Sequence, residues 1–453
     1  MKKENFKTLV LTSLMGLVLL CSCTDPDPDP EPEKPKGNAV LEGEIQTTRT
    51  LSADTIYLLK GFVYVLDGAT LNIPAGTILK GDKATKATLI IERGGKIMAK
   101  GASSKPIVFT SNQPKGQRNY GDWGGIVICG KSTVNVPGGE AKIEGGPRSF
   151  YGGNNANDNS GVMSYCRLEF CGIEYSTDNE INGLTMGGVG NGTAIDHIQV
   201  SFCGDDSYEW FGGSVNVKYL VAFRGWDDEF DTDNGFSGRL QFLVGIRDKN
   251  VADKSLSNGF ESDNDSQGSN NTPYTSPTFS NVSLFGPIDN EYAPTGGNGD
   301  FQAAMHLRRN TKLQVYNSVF AGWPVGLFIE DGGRGSAQTN AMNGELVVKN
   351  CFIAGMKANF KEDVNGAGGA DFNATYFNRA DGKNKIFGNV SDLKINSLTL
   401  SNPNFLPQSG SPLLSGADFT GLSGFESVNF IGAFGTTDWT SGWCNFDPQN
   451  TEY

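Results

Sequence analysis

Carboxylate side chains are concentrated between residues 205 and 265, and they are the residues of this chain best suited to chemistry. They are Asp205, Asp206, Glu209, Asp227, Asp228, Glu229, Asp231, Asp233, Glu261, Asp263 and Asp265. So many carboxylates in one region repel one another unless a cation neutralises them. Calcium suits such a site because it is a hard cation that accepts about six to eight oxygen ligands.

We therefore expect calcium to be held by most of these carboxylates. The predicted metal ligands are Asp205, Asp206, Glu209, Asp227, Asp228, Asp231, Asp233, Glu261 and Asp263. The alternative is a solvated face whose carboxylates accept backbone N–H bonds or pair with Arg224, Arg239 and Arg247. The motif is not an EF-hand, because Asp231–Gly235 lacks the remaining loop ligands and the distal glutamate.

The same carboxylates raise the question of catalysis. Asp227-Asp228 is similar to the paired aspartates of polygalacturonase-like enzymes, which also carry a Gly-His-Gly and an Arg-x-Lys motif. The only histidines of this chain, His197 and His306, lie in no such motif. A lyase needs a basic residue near calcium, and Arg308-Arg309 offers one. We assign no catalytic residue, and the alternative is a polysaccharide lyase or glycoside hydrolase acting on the acidic face.

Internal repeats indicate the elements that position these carboxylates. Thr193–Gly213 aligns on Val215–Gly235 at a shift of 22 residues, and Leu313–Gly322 aligns on Leu346–Gly355 at a shift of 33. A β-propeller needs a regular blade of about 40 residues, whereas variable repeats are typical of a solenoid. Helical periodicity is almost absent and glycine accounts for 60 of 453 residues. The prediction is an all-β chain folded as a parallel β-helix, a single-stranded solenoid.

The alignment also predicts which side chains point inward, because side chains alternate between the two faces of a strand. Three aligned aromatic residues should stack inside the solenoid, namely Tyr208, Phe230 and Phe260. The acidic residues that follow them should line up outside, namely Glu209, Asp231 and Glu261. The repeats thus predict an aromatic column inside and a carboxylate column outside.

A second aligned column consists of asparagines. Asn281, Asn317 and Asn350 occupy one position of the later repeats. Asparagine amides can bond to one another and to turn backbone in successive coils. The sequence therefore predicts an asparagine ladder at one turn of the solenoid.

Five segments connect the chain with a known group of proteins: Lys105–Ser111, Trp123–Ile128, Leu184–Gly190, Asp205–Gly213 and Trp439–Pro448. They resemble segments of secreted, pectin-lyase-like lipoproteins of the Bacteroidetes, which are mostly uncharacterised. The resemblance runs from about Leu51 to the C-terminus. It implies a right-handed parallel β-helix at the cell surface, and the family lends no firm activity.

The first 37 residues predict export and a lipid anchor. Residues 1–22 combine lysines with the apolar run Leu9–Leu20, which is typical of a signal peptide. The run leads into Leu20–Cys23, which resembles a lipobox and makes Cys23 the predicted lipidation site. Residues 23–37 alternate proline with acidic residues, so we expect an extended tether. These features predict an outer-membrane lipoprotein exposed at the cell surface.

The remaining chain divides into two predicted parts. Residues 38–429 should form the β-helix. The aromatic-rich residues 430–453 should form a C-terminal cap, because an open solenoid end exposes strand edges and apolar coils.

Six cysteines follow Cys23, and we interpret them as buried apolar thiols. They are Cys129, Cys166, Cys171, Cys203, Cys351 and Cys444. Because Cys171 and Cys203 both lie in a Phe-Cys-Gly motif, a stacked pair capable of oxidation is an alternative for these two.

The net charge of −13 argues against nucleic acid as a partner. We predict a non-catalytic surface lipoprotein that presents the β-helix as a binding platform, with calcium as its expected cofactor. The expected partners are the outer membrane through the lipid anchor, and a polysaccharide or an outer-membrane transporter complex. Trp210, Trp226 and Trp323 either stack on sugar rings or fill turns, and no ligand-binding residue is assigned.

Overall fold

The fold is taken from a computed structural model of the chain, in which residues 37–177, 179–287 and 300–453 are described. The predicted signal peptide, Cys23 and the acidic tether up to residue 36 lie outside these residues, and Gly37, the last residue of the predicted tether, begins the first strand. Twenty-six strands form one continuous sheet with parallel pairing between successive coils. The chain is a right-handed parallel β-helix, and the predicted fold class is confirmed.

The strands stack into three ladders, which we call ladders A, B and C. Ladder A contains Ile78–Gly81, Ile107–Ser111, Val319–Ala321, Phe352–Ala354 and Lys385–Phe387. Ladder B contains Thr88–Ile91, Gly125–Cys129, Leu184–Val189, Tyr208–Gly213, Phe230–Asp233, Phe260–Ser262, Ala303–Arg308, Val325–Glu330 and Ala358–Phe360. Ladder C contains Arg49–Thr50, Thr70–Pro74, Lys96–Lys100, Gln314–Tyr316 and Val347–Lys349.

Longer strands turn a corner and belong to two ladders. Gly37–Ile45 and Thr55–Val65 contribute to ladders A and B. Five others contribute to ladders C and A, namely Gly161–Glu169, Ala194–Ser201, Val217–Phe223, Arg239–Ile246 and Thr278–Phe285.

Short elements lie outside the ladders. The antiparallel pairs are Glu140–Lys142 with Phe150–Gly152, Glu174–Ser176 with Asn179–Glu180, and Ile395–Ser397 with Asn404–Pro407. The helices are Ala337–Met342 and Phe372–Phe377, with 3-10 turns at Lys83–Thr85, Ala380–Gly382, Val390–Leu393, Pro412–Leu414 and Pro448–Asn450. None of the helices in the described ranges has the length and apolar character needed to cross a membrane.

The registers follow the sequence repeats. Tyr208 pairs with Phe230 and Phe230 with Phe260, at the shifts read from the sequence. These three side chains are fully buried, and their ring centroids are 5.4 and 5.9 Å apart. The inward aromatic column is therefore confirmed, and it leaves the intervening acidic residues on the outer face.

The corner between ladders C and A has a left-handed backbone in successive coils. The residues there are Tyr165, His197, Tyr219, Phe242, Asn281, Asn317 and Asn350, with φ between 50° and 62°. Asparagine tolerates this conformation better than most residues. The amide of Asn350 donates to Asn317 over 2.7 Å, so the predicted ladder is confirmed for this pair, whereas the amide of Asn281 donates to the carbonyl of Phe430. In the earlier coils the column is a ring stack, with centroids of Tyr165 and His197 4.2 Å apart.

The C-terminal residues 430–453 do not cover the end of the core, which is where the sequence predicted them. They run back along the corner between ladders C and A over several coils. Asn350 donates to the carbonyl of Gly416, and Asn281 donates to that of Phe430. The rings of Trp443 and His197 lie 5.7 Å apart. The column at this corner presents rings and amides in successive coils. An aromatic segment that runs along the column therefore makes more contacts than one that covers a single coil.

The last coils are instead covered by the short helix Phe372–Phe377. The rings of Phe377 and Phe360 lie 5.4 Å apart, and the Tyr376 hydroxyl donates to the Leu346 carbonyl over 2.8 Å. All six cysteines that follow Cys23 are free thiols, and every one except Cys444 is buried. Cys171 and Cys203 are buried and their thiols contact each other, so the alternative of a stacked pair capable of oxidation stays open for these two.

Candidate functional site

The outer face of ladder B gathers the predicted metal ligands. Glu209, Asp231 and Glu261 are direct partners in successive strands, so their side chains form one column. The residues that precede each strand bring Asp205, Asp206, Asp227 and Asp228 to the same face. The acidic face, as we call this surface, is thus assembled by repetition of one coil.

Three overlapping groups of carboxylates on this face could each hold a metal ion. They are Asp205, Asp206 and Asp227; Asp206, Glu209 and Asp231; and Asp228, Asp231 and Glu261. Within each group, one oxygen of every member lies within 4.8 Å of the others. We call them the outer, central and inner trios. Asp206 belongs to the first two, and Asp231 belongs to the last two.

The central trio has no protein cation. Among the described residues, no ion pair joins a Lys, Arg or His to Asp206, Glu209 or Asp231. Burial raises the pKa of Asp206 well above its ordinary value, and the charges of neighbouring aspartates raise it further. Burial and neighbouring carboxylates do the same to Glu209 and Asp231. Burial and mutual repulsion therefore make the ionised form of these carboxylates costly unless a cation lies beside them.

Two further atoms at the central trio lack a hydrogen-bond partner among the described residues. One is the hydroxyl oxygen of Thr185, whose side chain pairs in register with Glu209 and is 1% exposed. The other is Oδ1 of Asp231. A buried oxygen without a partner costs about 1–3 kcal/mol, and a metal ion would remove that cost.

Basic side chains lie at the other end of the acidic face. Arg308 contacts Glu261 and donates to Asp263 over 2.9 Å, while Arg309 donates to Asp263 over 2.6 Å. His306 lies 3.6 Å from Glu261 and 2.7 Å from Glu330. Burial acts to raise the pKa of Glu261, but His306 and Arg308 outweigh it and hold that pKa below its ordinary value.

The pKa values of the carboxylates therefore differ along the length of the acidic face. Asp263 keeps a raised pKa, because burial and the charge of Glu261 outweigh the two arginines. Burial and the adjacent Asp263 raise the pKa of Asp233, which belongs to none of the three trios.

Glu144 is a carboxylate of the site that the sequence did not point to. It lies between the strands Glu140–Lys142 and Phe150–Gly152, and its Oε1 accepts from Asn182 over 2.9 Å. The same amide contacts Glu209, so Glu144 and Glu209 meet over the central trio. No repeat contains Glu144, and only the folded hairpin brings it here.

The two clustered acidic residues that were not predicted as metal ligands have structural partners. Glu229 and Arg247 form an ion pair at 3.2 Å, and both side chains are fully buried. Asp265 accepts from the backbone of Gln267 and Ser269 within its own loop. Of the arginines considered as alternative partners, Arg247 takes that role, whereas Arg224 pairs with Asp248.

A cleft of about 690 Å³ borders the outer trio. Asp205 and Asp227 line it, together with the rings of Tyr120 and Trp226, whose centroids are 5.3 Å apart. The insertion at 248–257 forms one wall, where Ser255 donates to Asp227 over 2.6 Å. Trp226 is half-buried, whereas Trp210 and Trp323 are fully buried in the core. Only Trp226 of the three tryptophans can therefore contact a ligand in this cleft.

This arrangement has the chemistry of a divalent-cation site beside a ligand cleft. Hard carboxylate oxygens converge at three positions, and an aromatic and polar cleft opens next to one of them. Arg308 is engaged by two carboxylates and is not a free base. Burial raises the pKa of Asp227 to about 7, which is the value that a general acid or base would need.

These features define a pectate-lyase-like parallel β-helix with a carboxylate-rich outer face. The family model of the pectate-lyase like beta helix domain matches residues 43–399, and the chain belongs to this family. No curated protein and no solved structure matched the chain. Membership of the family fits a glycan-related role.

Proposed function

We propose that this protein binds a glycan without cleaving it, in the cleft beside the outer trio, and that calcium neutralises the acidic face. The observation that carries the proposal is the central trio. Asp206, Glu209 and Asp231 converge within 4.8 Å, and among the described residues no protein cation pairs with them. Calcium would supply the missing charge and organise the wall of the cleft.

The state of the basic residues supports binding over catalysis. A lyase needs a basic group that can accept a proton from the substrate. Arg308 is held by Glu261 and Asp263, and His306 is held by Glu330 and Gln302. Neither lines the cleft; the basic residues that do are Lys83, which pairs with Asp122 at 2.8 Å, and Lys254.

The proposed location is the cell surface. Cys23 would carry the lipid, and the acidic tether would hold the β-helix away from the outer membrane. Both lie outside the described residues, so this part of the proposal rests on the sequence. A surface polysaccharide or an outer-membrane transporter complex is the proposed partner.

A catalytic role is the second candidate, and one observation favours it. Asp227 lines the cleft with a pKa raised to about 7. A glycoside hydrolase would need Asp227 as its acid, so Asp227→Asn would abolish release of reducing ends from a bound polysaccharide. A lyase would instead release unsaturated sugars that absorb in the ultraviolet.

Thermal unfolding of the full chain, with calcium or with chelator, tests the cation. Calcium at a hundredfold excess over its dissociation constant should stabilise the protein by about 2.7 kcal/mol. Asp231→Asn should remove most of this shift, because Asp231 belongs to two trios. Asp233→Asn is the matched control on the same strand, and it should keep the shift.

An unchanged midpoint in calcium would refute the cation site. Glycan binding is tested separately, on an array of neutral and acidic oligosaccharides in the presence of calcium. Binding without any released product supports the proposal, and product release that Asp227→Asn abolishes would replace it with the catalytic candidate.

A further inference from the structure

The outer and central trios share a carboxylate, whereas Glu261 of the inner trio is already paired with Arg308, so two positions on the acidic face remain for cations. Asp206 belongs to both the outer and the central trio. Its Oδ1 already accepts the backbone N–H of Asp228 over 2.8 Å, which fixes the orientation of the carboxylate. A carboxylate has two oxygens and about four lone-pair sites, so Asp206 can contact one ion on each side.

The central trio is more enclosed than the outer trio. Asp206 and Glu209 are 8% and 7% exposed, Asp231 is half-buried, and Glu144 contacts Glu209 from the neighbouring hairpin. The buried hydroxyl of Thr185, which has no partner among the described residues, lies in register beside Glu209. Carboxylates and a hydroxyl group from neighbouring elements therefore supply up to five ligand groups for an ion at this position.

The outer trio is open on one side. Asp205 and Asp227 are half-buried, and both line the cleft of about 690 Å³. Three carboxylates cannot fill the coordination shell of calcium, which takes about six to eight oxygens. The remaining positions therefore face the cleft, where a ligand can occupy them.

We propose that Asp206 bridges two cations. The ion in the central trio is structural, and the ion in the outer trio is completed by two adjacent hydroxyl groups of a neutral glycan. The ring of Trp226 lies in the same cleft, where it can contact the apolar face of the bound sugar. This inference rests on the proposed function and specifies how that cleft recognises its ligand.

The charge of the cleft favours a neutral ligand. Carboxylates outnumber ammonium groups in its lining, which contains Asp205, Asp227, Asp253, Glu174 and Glu180 with Lys83 and Lys254. One divalent cation offsets only part of this negative charge. An anionic sugar would meet the remaining carboxylates, whereas hydroxyl groups bind the cation without adding charge.

Calorimetric titration of the full chain with calcium tests the number of ions. The wild-type chain should bind two calcium ions, and Asp205→Asn should lose one of them and keep the calcium-dependent rise in unfolding midpoint. Asp233→Asn also changes a carboxylate of the acidic face, but one outside all three trios and outside the cleft, and should still bind two. A single ion in the wild-type chain, or two ions in Asp205→Asn, would overturn the inference.

Terbium in place of calcium tests the openness of the outer position. Energy transfer from Trp226 should sensitise its luminescence, and lifetimes in H₂O and D₂O should reveal bound water on the outer ion. Asp205→Asn should lose this water-bearing component, and Trp226→Phe should lose the sensitised emission while still binding two ions. Two ions that both lack water would contradict an open position.

An array of neutral and uronic-acid oligosaccharides separates this inference from the proposed function. Binding of neutral glycans that requires calcium, fails in Asp205→Asn and persists in Asp233→Asn supports both. Binding that survives chelation and Asp205→Asn, or that is confined to uronic-acid glycans, overturns the inference alone. No glycan binding by the wild-type chain in calcium overturns the proposed function, while the ion count still decides on the second cation.

Discussion

The two ends of the acidic face solve the same electrostatic problem in different ways. Around Glu261 and Asp263 the chain supplies its own cations, Arg308 and Arg309. Around Glu209 the same register places carboxylates next to one another, and no ion pair joins that residue to a described basic side chain. The pKa of Glu261 accordingly lies below its ordinary value, whereas that of Glu209 lies well above it. One end is therefore neutralised by the chain itself, whereas the other lacks a counter-charge from the described residues.

Substitution of Arg308 should have the largest effect on stability. It removes a cation from the Glu261 end of the acidic face and so makes that end resemble the Glu209 end. Arg308→Gln leaves Glu261 and Asp263 as buried charges with less compensation, and this should cost about 3 kcal/mol of unfolding free energy in chelator. Denaturant unfolding measures the loss. Calcium should restore part of the stability, and a loss below about 1 kcal/mol would show that the contact adds little.

The stability of the metal-free protein should depend on pH, because the carboxylates at the Glu209 end of the acidic face have raised pKa values. The pKa of Asp227 is raised from 3.8 to about 7, so its contribution is complete below about pH 4 and lost as the pH rises through 7. The raised pKa values of Asp206, Glu209 and Asp231 act in the same direction. We expect the unfolding midpoint in chelator to rise on acidification from about pH 8 to about pH 5.

Saturating calcium should remove or reverse this pH trend, since the metal ion takes the place of the protons. The lowered pKa of Glu261 works in the opposite direction, because its contribution is present above about pH 4.5 and lost below it. Midpoints that fall steadily from pH 8 to about 5 in chelator would contradict protonation of the trios.

Glu209→Gln should have a smaller effect, and its sign should depend on calcium. The substitution removes one carboxylate from the central trio and keeps an oxygen that can accept from Asn182. In chelator we expect about 1 kcal/mol of stabilisation, because one source of repulsion is lost. In calcium the variant should be less stable than the wild-type chain, and unfolding under both conditions checks this reversal.

Arg309→Gln should have the smallest effect and serves as the control for Arg308. Among the described residues Arg309 pairs only with Asp263, which Arg308 still contacts, and the Arg309 side chain is 28% exposed. The loss should stay below about 1 kcal/mol. A loss as large as that of Arg308→Gln would show that the two arginines act as one unit.

The repeats made the backbone and the carboxylate column predictable. The sequence shift between Tyr208 and Phe230 is the structural register, and alternation along the strand then places Glu209 and Asp231 outside. The roles of Glu144 and Arg308 in the site were harder to predict from the sequence. Glu144 reaches Glu209 from a hairpin outside the repeat, and Arg308 was considered as a base, whereas the folded chain uses it as a counter-ion.

The contacts of the C-terminal segment should make this solenoid fold differently from one whose coils contact only their neighbours. Coils that contact only their neighbours can unfold one at a time from either end. Here Arg118 donates to the carbonyl of Pro448, 330 positions later in the chain, and Asn317 donates to that of Asp418. Contacts of such long sequence separation slow folding and couple distant coils. The early coils therefore acquire their last contacts only when the C-terminal residues arrive, and the β-helix should unfold as one cooperative unit.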